Sequence, residues 1–213
     1  MRLDIYFNSW PADKPSEDLI NFVLEKAKGK NILDIACGNG VYSQRLNEQG
    51  FKCVGIDSDI ENVKRACKNG VEACVGDATH LNIKDKSFDT VLMFEVLEHL
   101  KYPEKAISEA IRVARDNVLI TVPNCDEEEL NNLAKFGLTF FHLRTKDHCQ
   151  FFTKDILSSL IEGFAAKYTI KKSEPIFSYL TTGYMRKSFS LLYKLNLLKP
   201  YYFNRLYAEI LVK

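Results

Sequence analysis

Apolar positions through the first two-thirds of the chain fall into short runs that alternate with helical stripes. Asn31-Ile-Leu-Asp-Ile-Ala-Cys37 is largely apolar and stops at Gly38-Asn39-Gly40. Lys52-Cys-Val-Gly-Ile-Asp57, Val71-Glu-Ala-Cys-Val-Gly-Asp77, Phe88-Asp-Thr-Val-Leu-Met-Phe94 and Asn117-Val-Leu-Ile-Thr-Val122 read the same way. Runs of this length, bounded by turn residues, predict strands. Between them apolar residues recur at helical spacing. Ser16 to Lys28 predicts a helix capped by Ser16, with Leu19, Ile20, Val23, Leu24 and Ala27 on one face. Further helices are predicted after Gly40 to about Glu48, from Ile60 to Lys68 and from Pro103 to Ala114. This alternation predicts βαβ units and a mostly parallel sheet. The near-continuous apolar runs suit strands covered on both faces.

The last third is less regular. Asp126 to Phe136 and Thr153 to Ile161 predict helices, and Tyr168 to Ile176 and Tyr207 to Val212 predict strands. Tyr184 to Lys199 is amphipathic, with Met185, Phe189, Leu192 and Leu195 opposed to Arg186, Lys187 and Lys194. No repeat or low-complexity linker divides the chain, so one domain over residues 1–213 is expected. It comprises a helical segment at 1–30, a core at 31–124, and substrate-side insertions at 125–152 and 177–206.

Composition narrows the setting. Apolar residues make up 46% and charged residues 27%, a globular balance. No apolar run approaches the roughly 20 residues of a membrane span, and Met1 to Trp10 lacks the apolar stretch and cleavage site of a secretory signal. Six cysteines occur with no C-x-x-C pair, which disfavours zinc knuckles and redox pairs. A reducing, cytoplasmic compartment is expected. The net charge of +1 conceals an asymmetry: Phe164 to Lys213 holds 9 Lys/Arg against 2 Asp/Glu. That basic end fits either a solvated rim or an anionic partner, nucleic acid or membrane surface.

The polar residues fall where an open α/β sheet binds ligands, beyond the carboxyl ends of its strands. Asp34 lies in the first strand, and Gly38-Asn39-Gly40 makes the turn after it. Asp57 ends the second strand, where a carboxylate can accept from both ribose hydroxyls. Asp77 ends the third, where it can accept from an adenine amino group. A nicotinamide dinucleotide is the competing ligand, since Asp57 follows Gly38 by 19 residues. Against it, Gly38-x-Gly40-x-x-Ser43 lacks a third Gly or Ala, and that ligand explains neither Asp34 nor Asp77.

Taken together, Ile32-Leu-Asp-Ile-Ala-Cys-Gly-Asn-Gly40, Val54-Gly-Ile-Asp57, Gly76-Asp-Ala78 and Phe88-Asp-Thr-Val-Leu-Met-Phe-Glu-Val-Leu-Glu-His99 resemble the class I S-adenosylmethionine-dependent methyltransferases. The likeness is to the small-molecule branch with the methyltransferase-11-type core and covers roughly Asn31 to Asn124. It implies a Rossmann-like, doubly wound α/β fold with a mostly parallel seven-stranded sheet, helices on both faces and an antiparallel C-terminal strand. S-adenosylmethionine becomes the expected cofactor and S-adenosylhomocysteine its product. The resemblance puts the turn Gly38, Asn39 and Gly40 under the methionine moiety, Asp57 at the ribose and Asp77 with Ala78 at the adenine, and implies Asp34, Ala36, Ser58 and Phe94 as further cofactor-binding residues. Ala36 departs from the more usual glycine.

Methyl transfer from a sulfonium is an in-line displacement, so the protein chiefly aligns a nucleophile with the methyl carbon. A hydroxyl nucleophile must also lose its proton, which a base or a bound metal ion can arrange. Glu95-x-x-Glu98-His99 follows the fourth strand. If a helical turn begins there, the three side chains share a face and form three legs of a site for Mg²⁺, Mn²⁺, Fe²⁺ or Zn²⁺. This run, with a distant His in Asp147-His148-Cys-Gln-Phe-Phe-Thr153, is similar to two metal-using O-methyltransferase groups. One acts on the terminal ribose of small RNAs, the other on catechol rings in ubiquinone biosynthesis. The similarity implies Glu95, Glu98, His99 and His148 as ligands of a metal that binds a vicinal diol. In the metal-free alternative His99 is a base or a brace of its loop, and His148 only caps the helix near Thr153. His142 and Asp147 are weaker candidates, and His80 has a surface role.

The expected acceptor is a small molecule, methylated on oxygen. Phe136, Phe140, Phe141, Phe151 and Phe152 are expected to line its pocket. Alternatives are an RNA ribose or a lipid-linked substrate at a membrane surface. The sequence leaves the oligomeric state open.

Overall fold

In the computed structural model, residues 14–129, 147–165, 167–176, 191–192, 195–200 and 202–212 are described. The apolar runs become strands β1 (Asn31–Ile35), β2 (Lys52–Asp57), β3 (Glu72–Val75), β4 (Phe88–Phe94) and β5 (Ala114–Pro123). Helices α1 (Glu17–Lys26), α2 (Val41–Glu48), α3 (Ile60–Lys68) and α4 (Pro103–Val113) alternate with them, and α5 (Lys154–Glu162), β6 (Tyr168–Ile176) and β7 (Tyr202–Leu211) complete the order. The seven-stranded sheet runs β3-β2-β1-β4-β5-β7-β6, with β1 to β6 parallel and β7 alone reversed, antiparallel to both its neighbours β5 and β6.

Alternation along the central strands builds two cores. Leu33, Ile35, Val91, Met93, Val118 and Ile120 face one side, against Ala106, Ile107 and Ala110 of α4 and Leu157 and Ile161 of α5. Ile32, Leu92, Phe94 and Leu119 face the other, against Leu19, Ile20, Phe22 and Val23 of α1 and Leu46 of α2. Strands covered on both faces carry apolar side chains on both, as their sequences anticipated.

Asp89 fixes the entry to β1. Its carboxylate accepts from the N–H groups of Lys30 and Asn31, each at 3.0 Å, and pairs with Arg115. The turn before β1 passes so close that a Cβ on Gly29 would lie 2.3 Å from the Asp89 Oδ2. Glycine is therefore required at this approach, where φ is also +63°.

Two expectations need correction. Ser16 occupies the N-cap of α1, but its hydroxyl makes no capping bond and is buried without a partner among the described residues. The one reversed strand is β7, the C-terminal strand, as expected; β6 pairs antiparallel with it and so runs parallel to β1–β5. The strand expected from Tyr207 begins at Tyr202, within the stretch expected to be an insertion. Asn204 and Arg205 interrupt the apolar pattern there, yet both side chains find partners in Glu174 of the adjoining β6. Of the helix expected at Asp126 to Phe136, residues 127–129 are helical and 130–136 lie outside the described residues. Most of Tyr184 to Lys199 also lies outside them.

Candidate active site

Strand order reverses between β1 and β4. Chains leaving such neighbours turn to opposite faces, which opens a crevice at their carboxyl ends. A cavity of about 250 Å³ lies there. Asp34, Ala36, Cys37, Gly38 and Asn39 line it from β1 and the following turn. Val41 and Tyr42 line it from α2, Phe94 and Glu95 from the end of β4, and Lys14 from the segment before α1.

The turn after β1 adopts a left-handed backbone at Ala36 (φ +60°), Gly38 (+55°) and Gly40 (+79°). Alanine at the first of these costs on the order of 1 kcal/mol relative to glycine, more than a slight loss of freedom. At Gly40 packing adds a second demand, because a Cβ would sit 2.9 Å from the Ala66 Cβ of α3. The Gly38 N–H donates to Asp57 Oδ2 at 2.8 Å, tying the turn to the end of β2. The other oxygen of Asp57 accepts from the Asp59 N–H at 2.9 Å and from Asn62 Nδ2 at 3.2 Å.

Asp34 is fully enclosed beneath this turn and accepts from the Ser43 hydroxyl at 2.6 Å. Burial pushes its carboxyl up to about 6. The Tyr42 ring meets Phe94 edge-on, centroids 5.8 Å apart, and its hydroxyl accepts from the Ser16 N–H at 3.3 Å. Of the residues expected at the cofactor, Asp34, Ala36, Gly38, Asn39 and Phe94 converge on the cavity. Gly40, Asp57, Ser58, Asp77 and Ala78 do not line it. The Asp77 carboxylate folds back on Thr79, accepting from its N–H and its hydroxyl, both at 2.8 Å.

Beyond β4 the chain does not enter a helical turn at Glu95. Glu95 has φ +51°, and a short 3₁₀ turn spans only Leu97–His99. The three side chains therefore do not share one face. The Glu95 carboxylate accepts from Thr121 Oγ1 at 3.1 Å and pairs with Arg205 of β7, whose Nε is 3.1 Å away. Glu98 turns inward, 2% exposed, and its Oε2 has no partner among the described residues. Burial first, and the neighbouring Glu95 second, hold its carboxyl well above the usual carboxylate range.

The distant histidine does arrive. The Glu98 carbonyl accepts from the Cys149 N–H at 2.7 Å and the Gln150 N–H at 3.1 Å. The His99 and His148 rings meet edge-on, 4.8 Å apart. Each of Glu98, His99 and His148 offers a ligand atom within 4.8 Å of the others. Glu95 is not in that group.

Phe152 is buried in the core and Phe151 is half exposed, so neither matches the expected pocket lining. Phe136, Phe140, Phe141 and His142 lie outside the described residues. His80 is exposed and forms an isolated bridge with Asp77.

Residues 33–122, from β1 to the end of β5, match the family described as Methyltransferase domain. Over those residues the chain is similar to a methyltransferase domain. The chain is 40% identical over 106 residues to norajmaline N-methyltransferase of Rauvolfia serpentina, covering 45% of this chain and 36% of that protein. Over 128 residues the chain is 31% identical to a ubiquinone biosynthesis O-methyltransferase of Hahella chejuensis, covering 53% and 54% respectively. The chain thus spans about half or less of these relatives. A crystal structure of a SAM-dependent methyltransferase from Archaeoglobus fulgidus shares the fold, with a TM-score of 0.66 and 20% identity over 92% of each chain. The methyltransferase domain match ends one residue before Pro123. Arg205, which pairs with Glu95, and Glu174, which pairs with Arg205, lie outside it.

Sequence reasoning missed Lys14, Tyr42, Glu174 and Arg205. Lys14 and Tyr42 carry no motif. Arg205 offered one weak signal, a cation within a strand whose neighbours Leu206, Tyr207 and Ala208 are buried.

Proposed function

We propose that this chain transfers a methyl group from S-adenosylmethionine to a small-molecule acceptor, on oxygen. One observation carries the cofactor reading: Asp34, the glycine turn, Phe94 and Glu95 share a single cavity at the point where strand order reverses. Asp57, braced by the turn it braces, stands at the end of β2, where ribose hydroxyls would meet a carboxylate acceptor. Lys14 gives the cavity a cation suited to the carboxylate of the methionine moiety.

The oxygen acceptor rests on the group formed by Glu98, His99 and His148. An orphaned carboxylate oxygen at a site 2% exposed, beside two imidazoles, fits a divalent cation. Such an ion, when bound, lowers the pKa of a hydroxyl it contacts. Glu98 would supply the anionic ligand and the two histidines the nitrogen ligands, with His99 oriented by Asp147. Without an ion, the exposed His99 is the base that takes the hydroxyl proton.

Calorimetric titration of the folded chain with S-adenosylmethionine and with S-adenosylhomocysteine tests the cofactor. Binding of both is expected, and no heat with either overturns the reading. Methyl-labelled cofactor incubated with panels of phenols, amines and RNA tests the acceptor. Label on phenols is expected; label confined to amines overturns the oxygen assignment, and label confined to RNA overturns the small-molecule acceptor.

A further inference from the structure

Three charged side chains stand in a row from the cavity into the body of the protein. Glu95 lines the cavity. Arg205 follows, its Nε 3.1 Å from Glu95 Oε2. Glu174 lies on the far side and pairs with Arg205 Nη1. Side-chain exposure falls from 30% at Glu95 to 11% at Arg205 and 9% at Glu174. The inner carboxylate is pinned further, accepting from the Tyr207 hydroxyl at 2.6 Å and from Asn204 Nδ2 at 3.0 Å. Both glutamates hold a positive φ, +51° at Glu95 and +59° at Glu174, a conformation a non-glycine residue keeps only when its surroundings dictate it.

One carboxylate would suffice to neutralise a buried guanidinium. Two leave the row with an excess negative charge. Glu174 already holds Arg205 from inside, so the excess is carried by Glu95, the member that lines the cavity. The two cofactor forms that would occupy this cavity have nearly the same shape and differ by one charge: the sulfonium of the methyl donor is cationic and the thioether of the product is neutral. We propose that the Glu95–Arg205–Glu174 row is a charge-selective wall that favours the sulfonium over the thioether, with Arg205 and Glu174 as positioning residues. This rests on the cofactor reading above. Its consequence is release of product against fresh donor, since methyl transfer removes the charge that the wall attracts.

The test compares dissociation constants for S-adenosylmethionine and S-adenosylhomocysteine in the full chain, in buffer containing a chelator so that no divalent cation contributes. Circular dichroism confirms folding. Glu95→Gln is expected to weaken the donor about tenfold more than the product, the scale of one charge contact near a protein surface. Glu174→Gln is expected to shift the ratio in the same direction, although Glu174 does not line the cavity, because Arg205 is then left to neutralise Glu95. Equal weakening of both ligands, or an unchanged ratio, in folded Glu95→Gln protein overturns the proposal. Should Glu174→Gln not fold, the near-isosteric Glu95→Gln still decides it. Failure of the unmodified chain to bind either compound strikes the cofactor reading instead, so the two failures are distinguishable.

Discussion

His99 donates its Nδ1 proton to the carbonyl oxygen of Asp147 across 3.1 Å. A carbonyl can only accept, so this contact fixes the neutral ring in the tautomer whose Nε2 bears the lone pair. That nitrogen is the one left to act as base or ligand. The bond also joins the end of β4 to a segment 48 residues later.

Replacing His99 by alanine should therefore lower turnover about a hundredfold or more, the usual scale for a lost general base, and change cofactor affinity little. Separate measurement of kcat and of the dissociation constant checks this. Equal losses in both would deny His99 a role in the chemistry.

If Glu98, His99 and His148 hold a divalent cation, dialysis against a chelator should abolish most activity, and readdition of one metal should restore it. Elemental analysis of the purified chain should find about one ion per chain, lost in Glu98→Gln. Undiminished activity after chelation, with no metal bound, would leave His99 acting alone.

The buried carboxyl of Asp34 makes a prediction about pH. Its folded pKa of about 6 exceeds the ordinary value of 3.8. Between these values the unfolded chain has released a proton that the folded chain retains, so stability falls as pH rises through this window and levels off above it. The contribution is on the order of 3 kcal/mol. Asp34→Asn should remove that slope, measured as the difference between mutant and parent in urea unfolding from pH 4 to 7. Asp89 acts with the opposite sign. Backbone N–H groups of Asn31, then Lys30, and the Arg115 charge hold it low, so its contribution is present above the ordinary value and lost as pH falls through the depressed one.

Gly40→Ala should destabilise the chain by about 1–3 kcal/mol, the scale of overpacking in a closed site. Its Cβ would meet Ala66 at 2.9 Å while the backbone remains at φ +79°. Thermal unfolding measures the loss. Cofactor affinity should fall with it, because α2 must move away from α3 and carries Val41 and Tyr42 with it.

Much of this was legible in the amino-acid order. The alternation of apolar runs and helical stripes marked out β1 to β5, since a strand covered on both faces has little freedom in composition. Asp34, the glycine turn and Phe94 were legible because strand ends are marked by punctuating residues and cofactor groups cluster there. The run Glu95-x-x-Glu98-His99 stood out as a candidate site through its residue types alone.

What the sequence could not decide was direction. Whether Glu95 shares a face with Glu98 depends on one backbone angle, and the positive φ at Glu95 sends the two carboxylates apart. Arg205 is 110 positions from Glu95, and only the antiparallel placement of β7 beside β5 brings it into reach of both Glu95 and Glu174. His148 reaches His99 because the Glu98 carbonyl receives the N–H groups of Cys149 and Gln150. Local composition fixes which segments become strands and helices, because burial is a property of each segment's own pattern. The pairing of distant charges is decided only when the sheet closes, because it depends on register between strands that no local pattern encodes.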